Sequence, residues 1–137
     1  MEQPGNLVYV VDDRTVIAET LATILNQAGF RALAFDDPTI ALSAASIKHP
    51  DALISDVIMP RMTGIDLAIR VRSAHPQCRV VLYSGQIHTA DLLERAKNEG
   101  HEFEVLAKPV HPEEILERLR DWGNANPLPT DGQSTEA

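Results

Sequence analysis

The strongest constraint on the fold is an alternation. Five short apolar runs are each followed by a stretch with helical spacing. The first run, Leu7 to Val11, is apolar at every position, which is the pattern of a strand covered on both faces. From Thr15 to Asn26 the apolar residues Val16, Ile17, Leu21, Ile24 and Leu25 recur at helical spacing, and Gly29 supplies a stop. Arg31 to Phe35 reads as an edge strand. Asp37-Pro38, an N-cap followed by proline at the first helical position, opens a helix to Lys48. Strands at Ala52–Ser55, Arg79–Tyr83 and Val105–Ala107 alternate with helices at Gly64–His75, His88–Asn98 and Pro112–Trp122, the last capped by Gly123. Strand and helix repeated five times predict an α/β domain, a doubly wound parallel sheet with helices on both faces.

Four of the runs deliver polar groups at the same, carboxyl, end: Asp12-Asp13, Asp56, Ser84-Gly85 and Lys108-Pro109. In an open parallel sheet those ends converge on one crevice, where ligands bind. Three carboxylates gathered there suit a hard cation, and the cation, the lysine and the serine suit a phosphoryl group.

Composition narrows the function classes. A chain of 137 residues is expected to form one domain, and 44% apolar residues suffice for a core. Aromatics are only 4%, so that core is aliphatic. A net charge of −8 argues against direct nucleic-acid binding and against anionic membranes. A single cysteine, Cys78, excludes an internal disulfide and reads as a half-buried hydrophobe. No segment reaches the roughly 18 apolar residues of a membrane span. Residues 1–6 form an acidic extension without the basic start of a signal peptide, so the expected location is cytoplasmic. Residues 124–137, polar with two prolines, read as a disordered tail, leaving 7–123 as the domain.

These residues resemble the receiver domain of two-component response regulators, over roughly Leu7 to Trp122. Each piece alone is common, but all four in order, each after an apolar strand, are specific. The resemblance implies a flavodoxin-like (βα)5 fold with strand order 2-1-3-4-5, one of the common orders of doubly wound sheets and the one found in chemotaxis receivers. It implies a signalling module rather than an enzyme, in which Asp56 accepts a phosphoryl group from a histidine kinase or histidine phosphotransfer protein. Mg²⁺ is the implied cofactor, with Asp13 as a direct ligand, Asp12 acting through a metal-bound water, and Asp56 and the carbonyl of Ile58 completing the protein's share. Lys108 would pair with Asp56 and then with phosphoryl oxygens, its peptide to Pro109 being cis in the family. Ser84 would donate its hydroxyl to the phosphoryl group, and Gly85 would let the chain approach it. Ile58 and Gln86 would flank the hydrolytic water. Gly64 and Met59-Pro60 would shape the loop after Asp56. The signal would leave through a downstream protein target, by way of the fourth helix, fifth strand and last helix.

The switch aromatic departs from the family pattern. Counting back from Lys108 reaches Val105, whereas counting forward from Ser84 reaches Phe103, because the segment between them is longer than usual. Phe103 is expected to fill the switch position together with Ser84, with Val105 as the alternative on the same strand parity. Two other readings stand beside a stand-alone receiver: a regulatory fragment of a larger protein, and an unphosphorylated scaffold. A flavin-binding protein of similar topology is disfavoured, because Asp12-Asp13 would repel the cofactor phosphate. The five histidines, His49, His75, His88, His101 and His111, show no i+3 or i+4 pairing, and Trp122 reads as an anchor for the last helix.

Overall fold

A computed structural model of the chain describes residues 6–85 and 89–125. Strands β1 (Leu7–Val11), β2 (Arg31–Phe35), β3 (Ala52–Asp56), β4 (Arg79–Ser84) and β5 (Glu104–Ala107) alternate with helices α1 (Thr15–Gln27), α2 (Pro38–Ile47), α3 (Gly64–Ala74), α4 (Thr89–Asn98) and α5 (Pro112–Ala125). All strand pairs are parallel, in the order β2-β1-β3-β4-β5. The expected flavodoxin-like topology is therefore the one observed.

The pleat divides the core in two. Leu7, Tyr9 and Val11 of β1 face one way with Leu53 and Leu82, under α2, α3 and α4. Val8 and Val10 face the other way with Ile54, Val81 and Tyr83, under α1 and α5. Every residue of β1 and β3 is buried, the apolar run of β1 and the first three residues of β3 as expected of strands covered on both faces, and Ser55 and Asp56 as buried polar groups. Edge strand β2 is buried only at Ala32.

Local chemistry sets the helix starts near the carboxyl ends of the strands. Asp37 caps α2, its carboxylate accepting the Thr39 amide at 2.9 Å. Thr63 caps α3 in the same way, through the Asp66 amide at 3.0 Å. At Gly64 a Cβ would lie 2.1 Å from the Asp56 carbonyl oxygen, so only glycine lets α3 begin against β3. Gly29, at φ +104°, ends α1 as expected.

Helix α5 differs from expectation. It runs to Ala125, so Gly123 lies inside it rather than capping it, and Asn124 and Ala125 belong to the helix rather than to a tail. An internal glycine costs a helix only about 1 kcal/mol, which a docked amphipathic helix tolerates. The remainder of the expected tail, residues 1–5, Gln86 and His88 lie outside the described residues, as does the side chain of Trp122.

Candidate functional site

The strand ends deliver their polar groups to one place. Asp56 closes β3 and Asp12-Asp13 follow β1, and carboxylate oxygens of all three lie within 4.8 Å of one another. Asp12 is fully buried, Asp56 is 4% exposed and Asp13 faces solvent. Like charges this close repel by a few kcal/mol at the effective dielectric of a protein surface, about 20. The cluster therefore calls for positive charge. Part of it comes from Lys108, beyond β5, whose ammonium donates to Asp56 Oδ2 at 2.9 Å. The Lys108–Pro109 peptide is cis.

Burial raises the Asp56 carboxyl above its ordinary range. The Lys108 hydrogen bond and charge oppose this, Asp12 adds to it, and the Ile58 amide helps the carboxylate weakly at 3.4 Å. Asp12 is more fully engaged. Its Oδ1 accepts the Arg14 amide at 2.9 Å, at the start of α1, and its Oδ2 accepts the Tyr83 hydroxyl at 2.7 Å. The all-oxygen donor set of the three aspartates fits a hard divalent cation, with the exposed Asp13 carboxylate on the open side.

Ser84 ends β4 beside this group and is 8% exposed. Its hydroxyl lies 2.6 Å from that of Thr89, the first residue of α4, so the two form a buried hydroxyl pair. The Ser84 carbonyl accepts the Lys108 amide at 3.2 Å. At Gly85 a Cβ would come within 3.3 Å of the Lys108 side chain, so glycine leaves that lysine its room.

Phe103 is not brought to this site. Register pairs Ser84 with Ala107 and Leu82 with Val105, which leaves Phe103 before the strand, toward the amino end of the sheet. Four residue steps lead from Phe103 to Ala107, roughly 13 Å at about 3.3 Å per residue. There the Arg72 guanidinium sits 5.0 Å from the ring centroid, and His101 stacks at 6.4 Å. Val105, opposite Leu82, is the β5 residue nearer Ser84 on that parity.

Tyr83 and Thr89 are the site neighbours that motif reasoning missed. Tyr83 carried a signal, since it is an aromatic hydroxyl in an otherwise aliphatic strand and a buried phenol needs an acceptor. Thr89 carried none, because nothing in the sequence marks Ser84, five residues earlier, as its partner.

Comparison with known proteins agrees with this geometry. The family described as the response regulator receiver domain matches residues 8–120. The chain belongs to the response regulator receiver family. The receiver is 32% identical over 113 residues to the probable transcriptional regulatory protein TcrX of Mycobacterium tuberculosis, covering 82% of this chain and 47% of that protein. It is 31% identical over 120 residues to the DNA-binding response regulator MtrA of Mycobacterium bovis, covering 88% and 51%. The chain thus spans about half the length of these curated relatives. Among solved structures, the chemotaxis protein CheY4 of Vibrio cholerae superposes with a TM-score of 0.71 at 28% identity, over 83% of this receiver and 95% of that chain. Among the described residues, no helix is long and apolar enough to cross a membrane.

Proposed function

We propose that this receiver accepts a phosphoryl group on Asp56 from the phosphohistidine of a histidine kinase or histidine phosphotransfer protein, with Mg²⁺, in the cytoplasm. The observation that carries the reading is the buried Asp56 carboxylate, joined to the Lys108 ammonium at 2.9 Å and within 4.8 Å of Asp12 and Asp13. A carboxylate oxygen of Asp56 attacks phosphorus. The P–O bond forms as the P–N bond to the donor imidazole breaks, and the imidazole leaves with the electron pair and takes up a proton. Asp13, Asp56 and the Ile58 carbonyl are the protein groups that would hold Mg²⁺ directly, with Asp12 behind them. When bound, Mg²⁺ supplies positive charge against the incoming phosphoryl oxygens.

Lys108 then shifts its hydrogen bond from the Asp56 carboxylate to a phosphoryl oxygen, acting as a compact positive charge. Ser84 turns its hydroxyl from Thr89 toward the phosphoryl group. Because Thr89 opens α4, that movement is felt at the helix start. Register favours Val105 over Phe103 as the β5 side chain that follows it. The phosphoryl group shifts the population only because it contacts one arrangement better than the other.

The signal then passes to a downstream protein through surface contacts. The receiver transfers no group onward to a small-molecule substrate and in this sense is not an enzyme. A net charge of −8 disfavours direct nucleic-acid contact by the receiver itself. A second reading has a specific observation behind it. The relatives matched across about half of their length are a probable transcriptional regulatory protein and a DNA-binding response regulator, so this receiver can govern an attached output domain. To test the shared core of both readings, the protein is incubated with a small acyl phosphate, with Mg²⁺ or with a chelator. Intact mass should rise by one phosphoryl group with Mg²⁺ only. Equal labelling in chelator contradicts the role given to the acidic cluster.

A further inference from the structure

The Tyr83 side chain touches both halves of the site. Its hydroxyl donates to Asp12 Oδ2 at 2.7 Å in a buried contact. The Lys108 ammonium lies 5.6 Å from the centroid of its ring while bonding Asp56. The other Asp12 oxygen is held by the Arg14 amide, so Asp12 remains anchored if the phenol is removed.

We propose that Tyr83 is a positioning residue that sets how tightly the site holds a divalent cation, its hydroxyl competing with the cation for the charge of Asp12. This rests on the acidic cluster being a cation site, as proposed above. A carboxylate oxygen has two acceptor lone pairs, so the phenol does not block Asp12 outright. It does compensate part of a buried charge that a cation would otherwise compensate. The hydroxyl is therefore worth more to the cation-free protein than to the loaded one. Binding equilibria at coupled groups are reciprocal, so losing the hydroxyl must tighten the cation. A tyrosine that only filled the core between α1 and α5 would alter stability and leave cation affinity alone.

Tyr83→Phe tests this, because it keeps the ring against Lys108 and removes only the donor. Calorimetric titration with Mg²⁺ should show binding roughly three- to ten-fold tighter than wild type, the range expected for one charge-assisted hydrogen bond partly lost on loading. The variant should melt lower than wild type without Mg²⁺, and the deficit should narrow at saturating Mg²⁺. In an Asp12→Asn background the same substitution should change Mg²⁺ affinity by less than about two-fold, since the coupling runs through that carboxylate. A second readout needs no substitution. The chain has two tyrosines, and the other, Tyr9, gives its hydroxyl to the Lys48 carbonyl at 2.7 Å. With ¹³Cζ-labelled tyrosine, Mg²⁺ should shift the Tyr83 resonance and leave that of Tyr9 in place. Unchanged or weaker Mg²⁺ binding in Tyr83→Phe, an equal gain in the Asp12→Asn background, or a silent Tyr83 resonance would each overturn the proposal. A wild type that binds no Mg²⁺ would overturn the cation site itself, and the role of Tyr83 with it.

Discussion

The two ends of β5 use one strand in opposite ways. Beyond its carboxyl end, Lys108 reaches into a cluster of three carboxylates that its single charge does not neutralise. Before its amino end, Phe103 lies under the Arg72 guanidinium, which also donates to the Cys78 carbonyl at 3.2 Å and the Glu102 carbonyl at 3.3 Å. At that end the polar groups find partners within the chain. At the carboxyl end net charge is left over for something from outside. Substitutions at the first end should act mainly on chemistry, and substitutions at the second mainly on stability.

The largest contrast is expected at Lys108. Lys108→Ala should remove most of the phosphorylation-induced change in amide chemical shifts across β4, α4 and β5. A shift pattern like that of wild type would break the comparison at its first arm. Asp13→Ala comes next. It removes the exposed carboxylate of the proposed cation site, so Mg²⁺ affinity should fall by about ten-fold or more. The cation-free melting temperature should not fall, because one member of a repelling cluster is gone. Unaltered Mg²⁺ affinity would move the site elsewhere.

Phe103→Ala probes the opposite end. The ring is only partly buried, so about 2–3 kcal/mol should be lost in urea unfolding, below the range of a fully buried phenylalanine. The phosphorylation response should survive, and its loss would return Phe103 to the switch. The smallest effect concerns Cys78, at the same end. Burial pushes its thiol from 9.0 up to about 12. A raised folded-state value means that the neutral thiol's contribution is intact below pH 9.0 and is lost as the pH rises toward about 12. The stability difference between wild type and Cys78→Ala should therefore shrink across that window, and a difference that grows would contradict a buried thiol.

The same comparison explains what was legible in the sequence. Asp12, Asp13, Asp56, Ser84 and Lys108 each sit directly after an apolar run, so finding the strand found the residue. Phe103 required counting across the segment after Ser84, where one or two extra residues move a side chain along the strand by several ångströms. Some side-chain pairs left no mark in spacing. Tyr83 with Asp12 is one, Ser84 with Thr89 another, and His49 stacked on His75 at 4.6 Å a third, joining residues beyond the ends of α2 and α3. The end of α5 was not legible either, because Gly123 carries the signature of a stop although packing can carry a helix through a glycine.

The role proposed for Asp56 is that of phosphoryl acceptor. Its most direct test is intact-mass measurement of wild type and Asp56→Asn, each treated with a small acyl phosphate and Mg²⁺. Wild type should gain one phosphoryl group and Asp56→Asn none. Equal labelling of the two proteins would contradict it.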